Sequence, residues 1–145
     1  MRISDILRVK GERVVTVAPG ADVTELLGVL AEHKIGAVIV SSDGGRVEGI
    51  VSERDIVRAL AARGAAVLSE PVTAIATTQV RSVSRDAALV DVERLMTEQR
   101  FRHVPVVEDG RLQGVVSIGD VVKFRIDELE HERTSLAEYI TGERA

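Results

Sequence analysis

Gly49-Ile50-Val51-Ser52-Glu53-Arg54-Asp55-Ile56-Val57 occurs a second time, with changes, as Gly114-Val115-Val116-Ser117-Ile118-Gly119-Asp120-Val121-Val122. Upstream the correspondence continues one residue out of step: Val17 aligns with Val83, Asp43 with Asp109 and Gly44 with Gly110, and Gly45, which has no counterpart, absorbs the slip. A duplication decides the architecture before any single motif does, because each copy must fold to the same plan and bury its apolar face against the other.

Switches between period 2 and period 3.6 in the apolar residues give that plan as strand, helix, strand, turn, strand, helix. In the first copy Val14 to Val17 reads as a strand closed by Pro19-Gly20, and Thr24 to His33 as a helix burying Val23, Leu26, Leu27 and Leu30. Ala37 to Val40 and Val47 to Val51 read as strands joined by Asp43-Gly44-Gly45, residues that tolerate turn geometry, and a helix follows from Ser52 to about Ala62. In the second copy Val80 to Val83, Val104 to Val107 and Leu112 to Val116 are the expected strands, with a helix over Ala88 to Thr97. The chain divides into repeat 1 (1–64), a linker and lead-in (65–74), repeat 2 (75–126) and a C-terminal helical extension (127–145). Ile3, Ile6 and Leu7 are spaced like Val72, Ile75 and Ala76, so each copy has its own lead-in.

The last helix is expected to run to about Ile140. Val122, Ile126, Leu129, Arg133, Leu136 and Ile140 fall at heptad spacing with one charged interruption. Two heptads are short for an independent coiled coil, so packing against the parent module is the expectation, with a homodimer seam as the alternative.

Composition narrows the function. The 145 residues are 45% apolar but only 2% aromatic, with no Trp, so the core is built from Val, Ile, Leu and Ala, and stacking platforms for bases are scarce. A net charge of −4 argues against a nucleic-acid binder, whose affinity comes from neutralising phosphates. The absence of Cys excludes disulfides, thiolate nucleophiles and Cys-ligated metals and fits a reducing compartment. Met1 to Gly11 lacks the h-region of a signal peptide, and no stretch approaches the roughly 20 apolar residues of a membrane span; a cytoplasmic location without membrane insertion is expected. His33, His103 and His131 show no metal-ligand spacing, and no P-loop, Gly-x-Ser-x-Gly or His-Glu-x-x-His motif occurs. Neither catalysis nor a bound metal is expected.

The chemistry concentrates in Gly-apolar-x-Ser-x-x-Asp at a strand-to-helix junction. Taken once, Ser-x-x-Asp is a helix cap, in which Ser accepts from the third backbone N–H and the acid reaches back to the cap N–H. Capping requires neither Asp over Glu nor the preceding Gly. A ligand accounts for all three: the Asp carboxylate can take two vicinal ribose hydroxyls, the Ser hydroxyl and helix N-terminus favour phosphate, and Gly lets a ring approach the backbone. The two roles are compatible.

The duplicated unit, ending in Gly-Ile-Val-Ser-Glu-Arg-Asp and Gly-Val-Val-Ser-Ile-Gly-Asp, resembles a tandem pair of cystathionine β-synthase (CBS) domains, a Bateman module, over almost the whole chain. The resemblance implies an α/β (α+β) fold of two tandem β-α-β-β-α repeats with pseudo-two-fold symmetry and an extended C-terminal helix. It implies a regulatory, signal-transducing module that binds AMP, ADP, ATP, S-adenosylmethionine or NAD(H) in clefts between the repeats. By carry-over, Asp55 and Asp120 take ribose, and Ser52 and Ser117 ribose or phosphate. Adenine is implied to meet main chain at Gly36, Ala37 and Val38, and at His103, Val104 and Pro105. Family modules commonly pair into a flat disc, which implies a homodimer. No output domain accompanies the repeats, so the regulated effector is expected to be a separate protein.

The copies differ where phosphate would sit. Phe101-Arg102-His103-Val104-Pro105 replaces Ile35-Gly36-Ala37-Val38-Ile39, and Arg54 faces Gly119. Arg102, His103 and Arg54 are expected to neutralise one phosphate cluster, making one site the tighter. Solvated surface charges and a partly buried histidine are the plain alternatives. Thr16 and the aligned Ser82 are minor candidates for a ribose or base contact. A ligand-free dimeric scaffold working through its last helix is the alternative function.

Overall fold

The computed structural model describes residues 1–11 and 13–142. Its elements run α1 (Ile3–Lys10), β1 (Thr16–Val17), α2 (Val23–His33), β2 (Ala37–Val40), β3 (Gly49–Ser52), α3 (Glu53–Arg63), α4 (Leu89–Gln99), β4 (His103–Glu108), β5 (Arg111–Ser117) and α5 (Ile118–Thr141). This is a mixed α/β (α+β) architecture of two repeats, β-α-β-β-α in the first and α-β-β-α in the second, where a single bridge stands in place of the first strand, with a long C-terminal helix.

In the first repeat β1 runs parallel to β2, and β2 pairs antiparallel with β3, placing Ala37 opposite Ser52. The second repeat has β4 antiparallel to β5, with His103 opposite Ser117, around an Asp109-Gly110 turn whose two residues both have positive φ. The expected strand at Val80 to Val83 shrinks to one parallel bridge, Val83 to Val106. Val83 N–H donates to Pro105 O (3.0 Å) and Val107 N–H to Val83 O (2.9 Å). The next rung toward Ser82 and Arg81 would need an N–H at Pro105, which proline lacks; Ile39 holds the aligned place in the first repeat, where β1 forms.

Two apolar cores result, and the lead-in segments cross between them. Ile3, Ile6 and Leu7 of α1 are sunk with Leu89, Val92, Met96, Val104, Val106, Val116 and Val121 in the second repeat's core. Val72, with Ile75 and Ala76 packed around it, completes the first repeat's core beside Val23, Leu26, Val38, Val40 and Val51. The connector between the repeats is a packed element. Gly64–Ser69 forms a 3₁₀ turn that buries Val67, and the Val72 N–H donates to Ala21 O (2.8 Å). Ala65-Ala66-Val67-Leu68 is apolar enough to prefer burial to solvent.

The crossing lead-ins also explain the glycines of the duplicated motif, and they correct one expectation. Gly49 and Gly114 line neither cleft described below; each faces a lead-in. A Cβ on Gly49 would stand 3.1 Å from Thr77 O, and one on Gly114 would stand 2.8 Å from Leu7 Cδ2. These glycines admit a neighbouring segment of the chain, not a ligand ring.

The heptad stripe is corrected too. In α5 only Val121 is buried; Val122, Ile126, Leu129, Leu136 and Ile140 are roughly half exposed or more, up to 74% for Ile140. The body holds the helix by a different face, through Val121, Phe124 and the ion pair of Arg125 with Glu93 (2.7 Å) on α4.

Candidate functional site

Ser52 and Ser117 each end a strand in extended conformation and cap the next helix. In the first repeat the Ser52 N–H donates to Asp55 Oδ2 (2.8 Å), the Ser52 hydroxyl donates to the same oxygen (3.0 Å), and the Asp55 N–H lies 3.3 Å from Ser52 Oγ. In the second, the Ser117 N–H donates to Asp120 Oδ2 (2.9 Å) and the Asp120 N–H to Ser117 Oγ (3.1 Å). Both motifs are therefore capping boxes. In each, the cap engages Oδ2 and no partner among the described residues engages Oδ1, so a carboxylate oxygen fixed at a helix N-terminus remains available to a hydroxyl donor.

Each cap opens on a cleft whose far side belongs to the other repeat. The first cleft is lined by Ser52, Glu53, Arg54, Asp55 and Arg58 on one side and by Arg100, Phe101, Arg102 and His103 on the other, with Gly36, Ala37 and Ile50 between. The second is lined by Ser117, Asp120 and Val115 against Lys34, Ile35, Gly36 and Ala37, with Lys10, Arg13, Val14, Val15, Glu53 and His103 closing it. Gly36, Ala37, Glu53 and His103 line both, so the clefts share one wall. At Gly36 the wall is close-packed: a Cβ would meet Glu53 Oε1 at 3.3 Å, tight enough that the carboxylate would have to shift slightly, and the His103 imidazole at 3.5 Å, an ordinary contact.

The sequence-predicted residues divide on this geometry. Ser52, Arg54, Asp55, Arg102, His103, Gly36 and Ala37 come together in the first cleft, and Ser117 and Asp120 enter the second. Val38, Val104 and Pro105 are buried and line neither; Val38 belongs to the first core and Val104 to the second. Thr16 pairs with Ile39 inside the sheet and Ser82 is exposed, both outside the clefts. Lys10, Arg13, Lys34, Arg58 and Arg100 were not singled out from sequence. A signal for two of them was present: Lys34 and Arg100 occupy aligned positions after α2 and α4, and both close their helices in the left-handed conformation, at φ 54° and 58°. That conformation usually falls to Gly or Asn, and bulky basic residues held there mark places where the surroundings fix the backbone.

Electrostatics distinguish the clefts. Burial, then Lys10 and Arg102, hold the His103 imidazole below its ordinary value of 6.5, against the opposing pull of Glu53 and Asp120. Burial pushes the Asp120 carboxyl up, but the hydrogen bonds from Lys10 and the Ser117 N–H outweigh it and leave it below the usual carboxylate range. The first cleft has four arginines against Glu53 and Asp55, and no described cation is paired with the Asp55 carboxylate. Among the described residues no cluster of His, Cys, Asp or Glu could hold a metal ion, and no helix is long and apolar enough to cross a membrane.

Two repeats with exchanged lead-ins, each capping a helix onto a cleft completed by the other, define a paired-repeat module with two clefts about a common wall. The family model of the CBS domain matches residues 3–62 and 72–127, and the chain belongs to that family, with two copies of the domain. A CBS-domain containing protein from Agrobacterium tumefaciens is similar in crystal structure at 47% identity and a TM-score of 0.82, over 86% of this chain and 99% of that one. A CBS domain protein from Pyrobaculum aerophilum, whose structure is a complex with AMP, is 32% identical with a TM-score of 0.73, over 83% of this chain and 89% of its own. A mitochondrial CBS domain-containing protein of Arabidopsis thaliana is 31% identical over 97% of this chain and 72% of its own length.

Proposed function

We propose that the protein is a regulatory module that binds adenine nucleotides, AMP, ADP, ATP or NAD(H), in its clefts and transmits their occupancy to a separate partner protein. The observation that carries this reading is the first cleft: Asp55, with a free carboxylate oxygen at a helix N-terminus, faces Arg100, Arg102 and His103 from the other repeat, with Arg54 and Arg58 beside it. A carboxylate suits a ribose diol, and guanidinium forks suit phosphate oxygens. The AMP complex of the Pyrobaculum relative supports the same ligand class. Because both repeats line each cleft, a nucleotide bridging them favours one relative orientation of the repeats, by as much as its affinity differs between orientations. The reading assigns the protein no reaction of its own.

An NMR titration of ¹⁵N-labelled protein with AMP and ATP tests it. Saturable amide shifts centred on Gly36, Ala37, Ser52, Asp55, Arg102 and His103 are expected, larger in extent for ATP; shifts confined to other surfaces, or none at millimolar nucleotide, contradict it.

One observation favours a second reading, a dimeric scaffold. The exposed stripe Val122, Ile126, Leu129, Leu136 and Ile140 along α5 offers an apolar seam to a second copy of the chain. Under that reading the oligomer persists without nucleotide and dissociates when Leu129 and Leu136 are replaced by Arg, and Asp55 and Asp120 are dispensable.

A further inference from the structure

The two capping boxes are filled differently, and the difference comes from the lead-in segments. In the first repeat the Ile50 carbonyl accepts from the Thr77 N–H (2.9 Å), a backbone bond within the short Ile50 to Thr77 bridge, and Asp55 accepts side-chain-directed bonds only from Ser52 among the described residues. In the second repeat the aligned carbonyl, Val115 O, and the aligned carboxylate oxygen, Asp120 Oδ2, both accept from one ammonium: Lys10 Nζ, at 2.8 and 2.7 Å. A side chain of the first lead-in, α1, thus fills at the second cap the place that backbone fills at the first, and in doing so engages the carboxylate. Asp120 Oδ2 already accepts the Ser117 N–H (2.9 Å), so Lys10 completes its coordination. The ammonium comes from a fixed base, because Lys10 is the last residue of α1 and Ile3, Ile6 and Leu7 anchor that helix in the second core.

We propose that Lys10 is an internal latch on the second cleft, which a ribose diol must dislodge from Asp120 before it can dock there. The proposal rests on the reading of the clefts as nucleotide sites. A diol that spans both oxygens of Asp120 competes with the ammonium for Oδ2, whereas at Asp55 it competes with the neutral Ser52 hydroxyl and no described cation is bonded to the carboxylate. The second cleft therefore takes nucleosides more weakly than the first, and its filling releases the C-terminal end of α1.

Adenosine is the probe, since it carries the diol without a phosphate that the cleft cations would attract. Calorimetry of the full chain should show one site, lost in Asp55→Asn and unchanged in Asp120→Asn. In Lys10→Met, which keeps the apolar stem, the second cleft should tighten by about tenfold or more, the value of a hydrogen bond to a charged group, and a second site should appear. That new site should vanish when Asp120→Asn is added. Lys10→Arg, which restores charge and donor, should behave as the parent. If Lys10→Met leaves the second cleft as weak as before while the Asp55 site still binds, the latch is wrong and the nucleotide reading stands. Loss of adenosine binding in Asp120→Asn alone also overturns the latch. If adenosine binds neither the parent nor Lys10→Met, the nucleotide reading falls and the latch with it.

Discussion

The two clefts are built from aligned residues, yet they are chemically unequal. The Asp55 cleft sets a carboxylate held only by the Ser52 cap, with no described cation bonded to it, among four arginines, whereas the Asp120 cleft has its carboxylate held by Lys10 and draws its other cations from Arg13 and Lys34. Gly119, aligned with Arg54, and Gly36, aligned with Arg102, remove two phosphate donors from the second. A duplication keeps the fold symmetric because the capping box and the two cores need the same residue types in each copy. The positions that line the clefts are under no such constraint, and there the copies diverge.

Deleting apolar volume from one core tests the crossing of the lead-ins and has the largest expected effect. Ile6→Ala should cost about 2–5 kcal/mol, the usual range for a fully buried Ile, measured by urea unfolding. Hydrogen exchange should show the loss in β4 and β5 of the second repeat before β2 and β3; equal loss in both would break the account of separate, exchanged cores. Next in size is the ligand asymmetry. Asp55→Asn keeps an acceptor for the cap but removes the charge, and should weaken ATP in the first cleft by about ten- to a hundredfold, as expected for a lost charge-assisted hydrogen bond; Asp120→Asn should weaken it far less.

Gly49→Ala and Gly114→Ala should each destabilise by about 1–3 kcal/mol through overpacking against Thr77 O and Leu7 Cδ2. Neither should alter the ligand chemistry of the cleft, because neither glycine lines it. A selective loss of nucleotide affinity at full stability would restore the ligand-approach role for these residues.

Much of this was legible in sequence. The repeat, the slip at Gly45, the strands at 37–40, 104–107 and 112–116, and the Ser-x-x-Asp junctions follow from local patterns, and local patterns are what period and capping chemistry encode. The partners of those junctions were not legible, because Lys10 reaches Asp120, and Arg100 reaches the Asp55 cleft, only through tertiary packing. Pro105 was read as a site residue, although its structural effect is to end the ladder with Val83. The heptad spacing along α5 was plain, but spacing alone does not say which face meets the body.

The smaller predictions concern the shared wall and the last helix. Because His103 titrates below 6.5, its neutral form is favoured in the folded state, so the unfolded chain binds more protons over that window. The stability this contributes is present above about pH 6.5 and is lost as pH falls through the lower folded value. His103→Gln should flatten that part of the stability profile, while an anionic ligand in the parent should raise the histidine's titration and take up protons, visible as buffer-dependent binding heat. Leu129→Ser on the exposed stripe should leave monomer stability within about 0.5 kcal/mol and nucleotide binding intact.

The most direct test is parallel calorimetric titration of nucleotide-free protein with AMP, ATP and NADH, repeated on Asp55→Asn and Asp120→Asn. Saturable binding of at least one ligand, abolished or strongly weakened by Asp55→Asn and nearly untouched by Asp120→Asn, is the predicted result. Absence of binding by all three, or equal losses in both variants, would contradict the account of one open and one latched nucleotide cleft.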